Sequence, residues 1–152
     1  MFNHSTMKAT GRVKLQLISP EGTIKEEQEV KNLVVDTGLD HIAARMVDSG
    51  IPTEMSHMEV GDDNTAAAAG DTTLVSAIVG SRVALTSTTV TDNAIEYIGD
   101  FPAGTGTGAI VEAGIFNAAS AGTLLCRTVF SVVNKGADDT LKITWTVTVS
   151  DS

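Results

Sequence analysis

Cysteine is nearly missing from this chain. Cys126 stands alone among 152 residues, so no internal disulfide can form, and in the apolar run Thr123 to Phe130 it reads as a small buried hydrophobe. Aromatics are scarce at 4%, with one Trp and one Tyr, which leaves little from which to build a stacking platform for sugars. Basic side chains are few and scattered: 10 Lys and Arg against 19 Asp and Glu give a formal charge of −9. Binding to phosphate backbones needs clustered Lys and Arg, so the charge argues against nucleic acid and none is expected as a partner. No apolar run reaches the roughly 18 residues of a membrane span. The N-terminal stretch from Met1 to Lys8 has no apolar signal core, so the expectation is a protein made and kept in a cytosol. His4, His41 and His57 lie near no serine-glycine elbow, no partner at metal-ligand spacing and not the lone Cys, so no enzyme is expected.

What is present is β pattern. In Thr140 to Val149, Leu141, Ile143, Trp145, Val147 and Val149 alternate with Lys142, Thr144, Thr146 and Thr148. Successive side chains of a strand point to opposite faces, so this is a strand with one dry face. At this length one domain is expected, large enough to bury a core unaided. The abundant Ala, Thr and Gly describe a weakly polar surface suited to contact with other subunits. The fold class expected is mainly β, an antiparallel sandwich or barrel-like domain over residues 11–152, preceded by an N-terminal arm over residues 1–10. In that arm Phe2 and Met7 are the apolar anchors, for the chain's own core or for a neighbouring subunit.

Arg12 to Leu17 alternates with Val13, Leu15 and Leu17 on the dry face. Pro20-Glu-Gly-Thr23 supplies turn chemistry, and Ile24 to Val30 returns as a charged strand suited to a guarded edge. One short helix is expected over residues 37–49, with Thr37 as N-cap, Asp40 three residues on, and Leu39, Ile42, Ala43, Met46 and Val47 as the buried stripe. Gly50 and Pro52 stop it. His41 lies beside the stripe and reads as a partly buried or surface histidine.

Met55 to Val60 reads as a strand, residues 62–71 as a surface loop, and residues 71–80 as irregular or helical. Strands follow from Arg82 and over Ala94 to Phe101, separated by a Thr-rich turn near Val90 to Asn93. Asp62, Asp63 and Asp71 invite a calcium reading, but their spacing lacks the alternate ligands and distant Glu of an EF-hand. Neither metal nor cofactor is expected. Pro102 to Gly108 is glycine-rich without the Gly-Lys-Ser/Thr of a phosphate loop and is expected to be a mobile hairpin loop.

Strands are expected over Ala109 to Phe116 and Leu124 to Val133, with Lys135 to Asp139 as the last turn. Glu112 sits mid-strand, and an unpaired buried carboxylate would cost several kcal/mol. Arg82 and Arg127 are its candidate donors, and a structural ion pair between Glu112 and Arg127 is the expectation carried forward. General acid-base chemistry would need a second carboxylate or a histidine placed to share the work.

A set of spacings over roughly residues 31–150 resembles the N-terminal attachment domain of the tail-collar fibres of tailed bacteriophages. It comprises Asn32-Leu-Val-Val-Asp-Thr-Gly-Leu39, Met58-Glu-Val-Gly-Asp62, Asp71-Thr-Thr-Leu74, Arg82, Glu112-Ala-Gly-Ile-Phe-Asn117 and Gly122-Thr-Leu-Leu-Cys-Arg127. These are glycine and hydrophobic spacings, not catalytic signatures. Such fibres continue into a shaft and a receptor-binding tip, whereas the present sequence stops at Ser152. A free-standing copy implies an accessory virion subunit made in the host bacterial cytoplasm: a capsid decoration (cement) protein, or a tail, collar or fibre-attachment subunit. Its implied partners are the major capsid protein or the tail proteins of the same phage, with a homotrimer as the implied oligomer. A carbohydrate-binding module is the remaining alternative. The candidate subunit-contact residues are Phe2, Met7, Asp62, Asp63, Pro102 and Thr105.

Overall fold

The computed structural model describes residues 7–151. Nine strands and one helix follow one another as β1 (Met7–Ile18), β2 (Ile24–Val34), α1 (Asp36–Ala44), β3 (His57–Gly61), β4 (Val83–Ala84), β5 (Ser87–Thr91), β6 (Ala94–Phe101), β7 (Gly108–Phe116), β8 (Leu124–Lys135) and β9 (Thr140–Asp151). They make one curled antiparallel sheet in the order β4-β3-β7-β8-β2-β1-β9-β6-β5, a half-barrel, so the mainly β barrel-like class read from the sequence is the fold observed.

The alternating strand β9 is the middle of the main core. Its register sets Val13 of β1 and Tyr97 of β6 on either side of Trp145, and Leu17 and Phe101 on either side of Leu141. Cross-strand neighbours on one face lie close enough to pack directly, and Val13, Trp145, Leu141 and Phe101 are fully buried. The middle row, Leu15 and Ile143, ends in Gly99 instead of a large residue. A Cβ there would stand 2.7 Å from Met58 Sδ, so the gap in the row is the socket for a side chain from β3 on the facing wall.

The sheet curls because strands change neighbours. β2 pairs with β1 over Ile24 to Asn32 and with β8 only through Leu33 and Val34. β4 pairs with β3, and two residues later the chain pairs with β6 as β5. The linking amides of Leu85 and Thr86 donate to Ser56 and Ile98 carbonyls respectively, which draws the two ends of the strand order together. Strands that pass from one wall to the other in this way make the corners of orthogonal β packings.

Several sequence expectations need correction. Residues 7–10, expected in an arm, are the start of β1 and pair with Val149 to Asp151 and Thr148 of β9; Phe2 lies outside the described residues. The helix ends at Ala44, not near residue 49, and begins after Val35, which has no side-chain cap. Thr37 does not cap it, because its hydroxyl donates to the Leu124 carbonyl. Of the stripe expected to be buried, only Ile42 packs against the main core; Leu39 is 45% exposed, Met46 and Val47, beyond the helix end, are 77% and 53% exposed, and Gly38 and His41 are the buried residues. Backbone contact overrode side-chain periodicity here, for α1 lies on β8 so closely that a Cβ on Gly38 would come 2.0 Å from the Leu125 carbonyl oxygen. The Thr-rich stretch near Val90 is strand β5, and the turn falls on Asp92 and Asn93, with Asp92 at φ 52°.

Gly38→Ala gives a direct measure of that contact. Alanine is the better helix former by about 1 kcal/mol, but overlap with fixed backbone outweighs it, and a net loss of about 2 kcal/mol or more is expected from the urea midpoint. Gly70→Ala, where no heavy atom lies within 4 Å of the added carbon, should stay within about 0.5 kcal/mol of the parent.

Candidate functional site

Strand β7 is buried on both faces, and its outer face carries a carboxylate. Ala113 and Ile115 belong to the main core. Phe116 joins Val35, Leu74 and Leu124 in a second, smaller core beneath the segment 62–76. Glu112 and Arg127 are 0% exposed, and the register, which pairs Gly114 with Arg127, puts Glu112 diagonally across from the arginine. Arg127 Nε donates to Glu112 Oε1 at 3.0 Å. The expected pair therefore forms, and it is the hub of a larger network. The backbone N–H of Val75 donates to Oε1, and those of Asp63 and Ser76 to Oε2, at 2.9, 3.2 and 2.9 Å. Beyond the pair, Arg127 Nη1 donates to Asp71 Oδ2 at 3.1 Å and Nη2 to the Thr65 carbonyl at 2.9 Å.

Each partner answers a need of the other. A buried carboxylate needs several donors and a buried guanidinium several acceptors; here both sets come from one loop. Gly61 is what lets them meet, since a Cβ on it would lie 2.5 Å from both Glu112 Oε2 and the Ser76 carbonyl. The arrangement holds residues 62–76 against the sheet and offers no free general acid or base. Arg82, the other candidate donor, serves elsewhere: Nη2 donates to Glu59 at 3.1 Å, Nη1 to the carbonyls of Ala118 and Ala121, and its guanidinium lies 3.7 Å from the Phe116 ring centroid. It clamps the turn between β7 and β8.

The candidate contact residues do not gather in one place. Met7 begins β1 and is 68% exposed. Asp62 is exposed, its backbone tied to Ser76. Asp63 is half-buried, and hydrogen bonding from the Thr65 side chain and from the Thr65 N–H, the latter at 2.7 Å, lowers its pKa. Pro102 is exposed and Thr105 half-buried. Their segment, expected to be a loose loop, is fastened: buried Lys135 donates to the Pro102 carbonyl at 3.0 Å, and Gly104 N–H to the Ala137 carbonyl at 2.8 Å. Burial lowers the pKa of Lys135 against the pull of Asp139. Asp139 in turn accepts Lys25 at 3.0 Å and is lowered by that bond, joining the last turn to the first hairpin.

Sequence reasoning missed a groove of about 600 Å³ at the mouth of the half-barrel, between α1 and the inner faces of β5, β6 and β9. His41, Arg45, Met55, Tyr97 and Leu125 are among its lining residues. His41 is 8% exposed, its Nδ1 has no partner among the described residues, and burial, aided by Arg45, lowers its pKa. Tyr97 is pushed up to about 12 by burial, and the buried Cys126 thiol is raised well above its ordinary value. Ser56 Oγ and His57 Nδ1 stand 2.8 Å apart with no carboxylate bonded to the ring among the described residues. Nor do three His, Cys, Asp or Glu side chains converge as a metal site among the described residues. Phe101, Phe116, Phe130 and Trp145 are buried, and Tyr97, 7% exposed, is the aromatic among the groove-lining residues. No known protein family, curated protein or solved structure matches the chain.

Two measurements follow from this geometry. Glu112→Ala orphans three backbone donors as well as Arg127 and should cost about 3–5 kcal/mol by denaturant unfolding. Arg127→Met leaves Glu112 its three N–H donors and should cost less, and the double variant should cost less than the sum of the two. For His41 the folded pKa lies below the 6.5 of the free side chain. Its contribution is therefore complete above pH 6.5 and lost as pH falls through the lower folded value, because the unfolded chain takes the proton first. Stability should decline over that interval in the parent and decline less in His41→Gln.

Proposed function

We propose that this is a non-enzymatic structural subunit of a tailed-phage virion, a capsid decoration protein that binds the outer surface of the head and stabilises it. The observation that carries the reading is a run of exposed apolar residues on and after α1. Leu39, Met46, Val47 and Ile51, each at least 45% exposed, form no part of either core. They lie within or next to the stretch whose spacings resemble the attachment domain of collar fibres. Four exposed apolar residues within thirteen positions of chain support a reading of this segment as surface for another protein. The remaining geometry supports the same use, since ion pairs and side-chain-to-backbone hydrogen bonds fasten the loops to the β body. A subunit that binds only the assembled lattice shifts the assembly equilibrium by mass action, so each copy seated on the major capsid protein would stabilise the shell.

A tail, collar or fibre-attachment subunit is the second reading, favoured by the identity of the domain resembled. Copy number in intact particles separates the two, many over a shell against one ring's worth on a tail. The direct test is cosedimentation of purified protein with mature, undecorated heads of its own phage. The parent should bind. Met46→Glu with Val47→Glu should weaken binding roughly tenfold or more, about 1.4 kcal/mol, with unchanged thermal unfolding because both residues are exposed. Absence of parent binding to heads would remove the decoration reading.

A further inference from the structure

Strand β5 stands at one end of the strand order and pairs with β6 alone. All five of its residues are exposed, Val90 at 68%. Its outer row of backbone groups has no partner among the described residues. Natural sheets blunt such edges with lysine, proline or a bulge. Ser87-Thr-Thr-Val-Thr91 has none of these, and its register with β6 is unbroken. It is also the only element longer than two residues without an Asp, Glu, Lys or Arg, in a chain of net charge −9. Thr88 and Val90 share the face of their partners Tyr97 and Ile95, and with Val147 and Val149 these line the groove at the mouth of the half-barrel.

We propose that β5 is a self-association edge, on which β5 of a second copy pairs antiparallel about a two-fold axis at Thr89. This inference stands independently of the virion reading. In that register Thr89 meets the partner's Thr89, Ser87 meets Thr91 and Thr88 meets Val90. The outer face then carries hydroxyl pairs, and the groove face carries a methyl-bearing row continuous with the groove of each copy. Threonine pairs and β-branched pairs are favourable across strands, and like charges directly opposite are not. A contact elsewhere on so acidic a chain tends to set carboxylate against carboxylate, whereas this edge brings no charge to the pairing. In an isologous contact the same patch meets itself, and in this register the two groove-lining residues of β5, Thr88 and Val90, meet each other, so the grooves of the two copies run together. That is the argument for a second copy over an unrelated extended segment. The resulting assembly is a dimer, not the trimer that the family resemblance implies.

Charge placed on the axis tests the arrangement. By light scattering at rising concentration, the parent should pass from the 15.8 kDa of the chain to twice that mass. Thr89→Lys and Thr89→Glu should each remain at the single-chain mass, because the two-fold sets like charge against like, with circular dichroism and thermal unfolding unchanged at this exposed position. Mixed in equal amounts they should recover the double mass, since lysine then faces glutamate. The proposal is overturned by a parent that stays at the single-chain mass up to about 1 mM, the weak limit of specific association. It is equally overturned by a mass of three chains, by single variants that still dimerise, or by a mixture that does not.

Discussion

A fully buried carboxylate facing a fully buried guanidinium holds one wall of this molecule together. Removing Glu112 and Arg127 from water is costly, and their mutual attraction alone would be a poor return. The cost is met by the ring of backbone groups around them, with three N–H donors on one side and the Thr65 carbonyl and Asp71 carboxylate on the other. Those partners all lie within residues 63–76, a stretch with no strand or helix of its own. The pair thus does what a hydrogen-bonded ladder does elsewhere, giving irregular backbone a fixed set of partners. Once that stretch is seated, Leu74 reaches Phe116 and Leu124 and a second core closes.

The other wall rests on ordinary apolar pairing, and in both a small residue repeatedly admits a large one. Gly99 receives Met58, Gly61 makes way for Glu112, and Gly114 faces Leu74 and Leu124 side chains at 2.9 Å from where its Cβ would stand. Gly38 lets α1 lie directly on β8. That seating uses the Gly38 face of the helix, with Ile42 against the main core and Leu39 left on the outside.

How much of this could be read beforehand depends on where each signal resides. The alternation in Thr140 to Val149 and in Val13 to Leu17 predicted buried faces correctly, because burial in a strand follows period two whatever the neighbours are. Glu112 and Arg127 were legible as a pair because a mid-strand carboxylate between apolar neighbours has to be neutralised. The donors from Asp63, Val75 and Ser76 were not, since backbone amides have no sequence signature. Helix α1 was read only in part for a related reason: Leu39, Ile42, Ala43, Met46 and Val47 have the right spacing and Ile42 does pack against the core, but which side of a helix docks is decided by what its neighbour allows, and Gly38 was read only as part of a motif. The Thr-rich run at β5 was divided between turn and strand because threonine serves both, and only pairing with β6 resolves it. The groove at His41 arises from the curl of the sheet, a property of nine strands together.

The twelve-residue pairing of β1 with β9 has a consequence for biogenesis. The first described strand emerges from the ribosome well before the strand it must lie beside, and β6 waits for that same late arrival. Chain ends brought together across the whole sequence make for slow closure, and until β9 is synthesised the dry faces of β1 and β6 are open to whatever meets them. Exposed apolar surface of that kind makes the interval before β9 is in place the aggregation-prone stage of folding.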